Sequence, residues 1–197
     1  GDLLQRPAVR AFWWPRFERI ARWFAATERE RRPDVAASAT EVAGSLTFDA
    51  PGGPFELRAK ADRIDRLADG TLMILDYKTG TPPKGTEVEA GIAPQLPLEA
   101  VIAERSGFPG DARGPVSALE FWHLKGDEAG GERKSAAKDV GGVTARALEG
   151  LISLVSAFDD PQTPYEPQPR PQAALRWNDY EHLARIREWA SGSEDPE

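Results

Sequence analysis

From Pro15 to about Arg32 the apolar residues Phe17, Ile20, Ala21, Trp23, Phe24 and Ala25 recur with helical spacing, and Pro33 closes the stripe. The pattern then changes to alternation. Thr40–Phe48 carries apolar Val42, Leu46 and Phe48, and the cluster Asp49–Pro54 is rich in turn formers, so a strand leads into a hairpin. Phe55–Leu67 reads as the second strand, Ala68-Asp69-Gly70 as its turn, and Thr71–Lys78 as a third strand around the run Leu72 to Leu75. These three predict an antiparallel meander. After a loop at Thr79–Pro83, Ala93–Glu104 is expected to be helical, with Leu96, Ala100 and Ile102 or Ala103 on one face. Ser117–Leu124 returns to strand character, and Val143–Phe158 forms a second long helix through Ala147, Leu148, Leu151, Ile152, Leu154 and Val155. Pro161–Pro171 suggests an extended tail, Tyr180–Ala190 a short last helix, and the acidic Ser191–Glu197 a frayed end.

The order helix, three strands, helix, strand, helix predicts an α/β fold with a central mixed sheet: the meander plus a parallel strand reached over a crossover helix. At 197 residues, 40% hydrophobic and 29% charged, the chain suffices for one core. The expected organisation is a single domain, with a helical region over 1–38, the core over 39–160, and the tail and terminal helix over 161–197. The first residues show neither a signal-peptide pattern nor an initiator Met, which suggests a fragment that lacks an upstream helix.

No apolar run reaches the eighteen or so residues that a membrane span needs, so no membrane partner is expected. With no cysteine the chain has no thiolate for a zinc or iron–sulfur site, which suits a cytoplasmic setting. A net charge of −7 argues against a protein that coats nucleic acid through a uniformly basic surface, so any DNA contact must be local. Basic residues concentrate near the start, where Arg10, Arg16, Arg19, Arg22, Arg29, Arg31 and Arg32 interleave with Phe12, Trp13, Trp14, Trp23 and Phe24. The reading preferred there is an amphipathic helix that packs its aromatics and solvates its arginines.

The chemistry concentrates in Asp62-Arg63-Ile64-Asp65 and Asp76-Tyr77-Lys78-Thr79-Gly80. A period of two places Asp76 and Lys78 on one strand face, and places Asp62 with Ile64 but opposite to Asp65. A hairpin at Ala68-Asp69-Gly70 then brings Asp62 alongside Asp76. Carboxylates gathered in one place repel unless a cation lies between them, and oxygen donors suit Mg²⁺ or Mn²⁺. The plainer alternative is a same-strand ion pair at a sheet edge. His123, His182, Trp122 and Trp177 are read as structural, and no Gly-rich phosphate loop is present.

These two segments, in this order and at this separation, resemble the paired motifs of RecB-like nucleases in the PD-(D/E)XK superfamily, and Gln95-Leu-Pro-Leu-Glu99 resembles the Q-x-x-x-Y motif of that family. Arg176–Arg185 with Glu188-Trp189 resembles the ending of alphaproteobacterial AddB-family proteins. The resemblance implies a restriction-endonuclease-like core and Mg²⁺-dependent exonuclease action on single-stranded DNA, within an AddAB-type helicase–nuclease of double-strand break repair and recombination. The implied partners are DNA and an AddA-type subunit. It also implies metal ligation by Asp62, Asp76 and the Tyr77 carbonyl, a catalytic Lys78, and a Gln95 that orients DNA or water. Three features depart from the pattern: Ala59 stands for the usual Gly, Glu99 for the Tyr, and no clear upstream His or Glu completes the metal site. Glu41 and Glu56 are read as strand-surface acids, and Asp65 as a structural acid paired with Arg63 or Arg66. A second function class compatible with the residues is a non-catalytic domain that docks a partner subunit or threads DNA.

Overall fold

Five strands form one sheet in the order β1-β2-β3-β4-β5 in a computed structural model that describes residues 7, 9–105 and 107–165. A π-helical turn, Val9–Trp13, leads into α1 (Trp14–Arg31), and α1 is followed by β1 (Val35–Ala50), β2 (Gly53–Leu67) and β3 (Leu72–Lys78). The short α2 (Gly85–Glu89) and then α3 (Gln95–Glu104) cross to β4 (Val116–His123), β5 (Glu132–Ser135) and α4 (Val140–Phe158). β1, β2 and β3 pair antiparallel, β3 and β4 parallel, and β4 and β5 antiparallel. The mixed sheet expected from the sequence is therefore present. β1 begins at Val35, inside the segment expected to be helical, because the 3-10 turn Arg32–Asp34 already ends the helix at Pro33.

The sheet separates two environments. On one face Ile64, Leu72, Ile74, Leu119 and Phe121 meet Leu96, Ala100 and Ile102 of α3, with Val140 and Val143 of α4, in the main apolar core. On the other face α1 packs against a fully buried Trp122, whose ring makes edge contacts with Trp23, Phe24 and Tyr77 at 5.5, 5.5 and 5.8 Å between centroids. The Arg31 guanidinium lies 5.0 Å from the same ring centroid. Asp65, fully buried, accepts from Arg31 at 3.0 Å and from Arg63 at 2.6 Å, and Arg63 reaches Glu28 at 2.7 Å. Asp65 thus has the expected structural pairing with Arg63, while Arg66 serves the carbonyls of Gly70, Asp111 and Arg113.

The expectation for α1 needs correction at both ends. Arg31 is buried as the partner of Asp65, whereas Phe12, Trp13, Trp14 and Phe17 are exposed. The buried carboxylate supplies a reason to bury a guanidinium that helical periodicity does not contain. β5 and α2 lie outside the elements that the sequence pattern predicts. Glu132-Arg-Lys-Ser135 has no apolar alternation, and it pairs with β4 through the ladder and a two-toothed contact of Arg133 with Glu120 at 2.7 and 2.9 Å. α4, at 19 residues, is by length and average hydropathy apolar enough to cross a bilayer, although it carries Arg146 and Glu149 and rests Val140 and Val143 on the core.

Contacts divide the chain into two units, Gly1–Asp159 and Asp160–Glu197, and every element named above lies in the first. In the second, the described residues include a turn closed by the Thr163 amide on the Asp160 carbonyl. The expected terminal helix, His182 and Trp177 lie outside the described residues.

Candidate functional site

A local slip in the strand alternation positions the first acid. Leu57, Ala59 and Ala61 of β2 face the α3 side, and so does Ile64, so the alternation shifts by one between Ala61 and Ile64. On the neighbouring strand Glu41 has φ 52, the left-handed region that a side chain with a Cβ seldom occupies, while Thr40 and Val42 on either side of it pair with Arg63 and Ala61. Val42 and Ala39 both lean on the core, so β1 slips at the same level. The register Arg63↔Leu75 and Ile64↔Ile74, carried one residue further, sets Asp62 opposite Asp76. There the ladder between β2 and β3 stops, and the Tyr77 amide donates to Asp62 Oδ2 at 3.0 Å instead of to a strand carbonyl.

Asp76 and Lys78 project from β3 on the α3 side, as their spacing predicts. Asp76 is 2% exposed, and its carboxylate takes Lys78 Nζ at 3.0 Å on Oδ1 and 2.8 Å on Oδ2. Gln95 opens α3 above them. Its Nε2 donates to Asp76 Oδ1 at 2.7 Å, and its Oε1 accepts from Lys78 Nζ at 3.2 Å, so one amide fixes the acid and the amine together. The helix continues for one turn to Glu99, which shares this face by the i, i+4 rule and accepts from Gln95 Nε2 at 3.2 Å. The structure therefore brings together Asp62, Asp76, Lys78 and Gln95, all four of the predicted side chains, and adds Glu99. The Tyr77 ring lies on the opposite face, beside Phe24 and Trp122, and burial pushes its phenol pKa up.

In the sequence Glu99 stood out only as a departure from a tyrosine. The overlooked signal was its spacing from Gln95. Glu99 is 2% exposed, and burial, reinforced by the nearby Asp76 and Asp62 carboxylates, pushes its pKa up to about 7. Two oxygens in this pocket, Asp76 Oδ2 and Glu99 Oε2, are buried without a hydrogen bond among the described residues, and the former is ion-paired to Lys78 Nζ at 2.8 Å. Buried acceptors left in this state suit a cation or its bound water, and carboxylate donors suit a hard divalent ion such as Mg²⁺ or Mn²⁺. Among the described residues no group of three His, Cys, Asp or Glu side chains is close enough to clasp a metal directly. The donor set thus fits an ion held by few protein ligands and several waters, as Mg²⁺ is commonly held.

Several of the described acids upstream are committed elsewhere. Glu28 of α1 pairs with Arg63 and Arg31 on the far face, Glu18 accepts from Trp14 and Arg22, and Glu41 is exposed and paired with Lys60. Glu56 is likewise a surface acid, and the side-chain hydrogen bond from Arg58 lowers its pKa. His123 contacts Glu132 at 3.2 Å, in keeping with a structural role.

The family model described as the PD-(D/E)XK nuclease superfamily matches residues 3–185. An uncharacterised protein of Rickettsia bellii is 32% identical over 96 residues, 49% of this chain and 12% of that protein. An uncharacterised protein of Rickettsia typhi is 31% identical over 100 residues, 51% of this chain and 12% of its own length. The match thus spans only about an eighth of the length of these relatives. The solved structure of SSO0001 aligns with a TM-score of 0.36 and 14% identity, covering 77% of this chain and 62% of that one.

Proposed function

This chain belongs to the PD-(D/E)XK nuclease superfamily, and on that premise we propose that it hydrolyses DNA phosphodiester bonds with Mg²⁺, as a single-strand exonuclease module of an AddAB-type helicase–nuclease. The mixed five-stranded sheet flanked by helices is the restriction-endonuclease-like fold of that superfamily, whose members are generally nucleases acting on nucleic-acid phosphodiesters. The observation that carries the reading is the bonded set of Asp76, Lys78 and Gln95 with Asp62 facing it across the hairpin. An ion pair with no other purpose does not account for a helix-borne amide that grips both partners at once.

In this proposal Asp62 and Asp76 hold the ion. Tyr77 adds its backbone carbonyl, since a strand residue sends its N–H and C=O to the same side and the N–H already points at Asp62. When bound, Mg²⁺ supplies charge that polarises the phosphodiester and acidifies the attacking water. Lys78 contributes its ammonium to the phosphate oxygens as negative charge builds on them. Gln95 orients Lys78 and Asp76, and the apolar floor of Leu72, Ile74 and Leu96 keeps bulk water from beneath the site. The AddA-type partner and the role in double-strand break repair and recombination rest on the resemblance of the motifs and of Arg176–Trp189, and the cytoplasmic setting on the absence of cysteine.

The direct test is degradation of end-labelled single-stranded DNA with Mg²⁺ or Mn²⁺, for the wild type and for Asp76→Asn, Asp62→Asn and Lys78→Ala. Loss of at least a hundredfold in each variant, with unchanged circular dichroism, is expected. Cleavage by Asp76→Asn at the wild-type rate, or cleavage undiminished in EDTA, would refute the assignment. Internally labelled circular single strands left intact under the same conditions would establish that an end is required.

A further inference from the structure

A third acid lies beside Asp62 and Asp76 in this pocket, and it comes from the helix. Glu99 is buried between the sheet and the α3 backbone, one turn from Gln95, with one carboxylate oxygen bonded to that amide and the other without a hydrogen-bond partner. A buried carboxylate with a free oxygen carries a desolvation cost that the protein leaves uncompensated unless something enters the pocket. Asp76 Oδ2 also has no hydrogen bond, and it meets the ammonium of Lys78 at 2.8 Å, the one cation bonded within the pocket among the described residues. Upstream, Glu28 is turned to the far face and Glu41 to solvent.

We infer that Glu99 is the third acid of the cation site, supplied by α3, and that it holds the divalent ion through the ion's hydration water. The indirect mode follows from the geometry, since no three acids are close enough among the described residues to ligate one ion directly. It also follows from the ion, because Mg²⁺ gives up its waters reluctantly and a carboxylate beside the hydration shell is a strong acceptor for them. Gln95 then acts in a second way, because its amide spaces Glu99 from Asp76 by donating to both, and the two carboxylates stay apart when the ion is absent. This inference rests on the metal-dependent reading above.

The experiment is Mn²⁺ binding, followed by calorimetry and by the loss of free-ion signal in electron paramagnetic resonance, for the wild type, Asp76→Asn, Glu99→Gln and Glu99→Asp. Melting curves in EDTA accompany each variant. Glu99→Gln retains an oxygen to accept from Gln95, so the bond within α3 survives while the charge is removed. The expected result is that Asp76→Asn loses saturable binding, Glu99→Gln binds at least tenfold more weakly while melting no lower than the wild type in EDTA, and Glu99→Asp recovers part of the loss. Wild-type affinity in Glu99→Gln, with binding lost in Asp76→Asn, overturns the role of Glu99 and leaves the nuclease assignment standing. Should Glu99→Gln fail to fold, Glu99→Asp decides: affinity below that of the wild type in a folded Glu99→Asp supports the role of Glu99, and wild-type affinity in it overturns that role. No Mn²⁺ binding by the wild type removes the cation site itself, and this inference with it.

Discussion

Replacing Glu99 by Gln should make the metal-free protein more stable at neutral pH and leave it unchanged in acid. Glu99 titrates near 4.5 when unperturbed and at about 7 in the fold, because burial and then the Asp76 and Asp62 charges oppose its ionisation. Below pH 4.5 the carboxyl is protonated in both folded and unfolded chains and contributes no pH dependence. Between the two values the folded chain holds the proton that the unfolded chain has released, so stability falls as pH rises, and above 7 the whole penalty is present. Because each pKa unit is worth roughly 1.4 kcal/mol, that penalty is about 3 kcal/mol. In a domain of this size it corresponds to roughly 6–12 °C of melting temperature. The assay is urea unfolding in EDTA at half-unit steps from pH 4.5 to 8, for the wild type and Glu99→Gln. The difference should open from near zero to about 3 kcal/mol in favour of the variant. Parallel curves, offset equally at every pH, would overturn this account, since they would mean that Glu99 is not forced to carry charge inside the fold.

Other consequences concern the frame that holds the site. Asp65→Ala leaves the Arg31 and Arg63 guanidiniums buried with only Glu28 between them, and a loss of about 3–5 kcal/mol is expected by denaturant titration. Trp122→Ala removes the ring on which Trp23, Phe24 and Tyr77 converge, so it should cost about 3–5 kcal/mol and should release α1 first, as exchange of α1 amides would report. Gly44→Ala drives a Cβ into the ring of Phe108, and about 1–3 kcal/mol of destabilisation is expected, with a thermal melt as the check. Gln95→Ala should weaken cleavage more than it weakens Mn²⁺ binding, because it frees Lys78 and Asp76 from their shared amide without removing an ion-holding oxygen.

Strand alternation, hairpin turns and the long helical stripes were legible in the amino-acid order alone. The period of two along β3 put Asp76 and Lys78 on one face, the turn formers Ala68-Asp69-Gly70 paired that strand with β2, and the helical stripe ending at Pro33 marked α1. The proposed strand side chains could be read for this reason, because strand alternation and hairpin register are local properties, and Gln95 came from its motif. Folding settled what depends on the element across the way. Glu99 and Gln95 share a helix face by their spacing, but only the docking of α3 over the end of β3 makes Glu99 a buried acid beside Asp76 and Asp62. Arg31 is charged and helical in any reading, yet it is buried because Asp65 waits beneath it, and Glu132–Ser135 is a strand because the edge of β4 offers it partners. Burial, ion pairing and edge-strand formation are relations between segments, and a one-dimensional pattern records only one of the two parties.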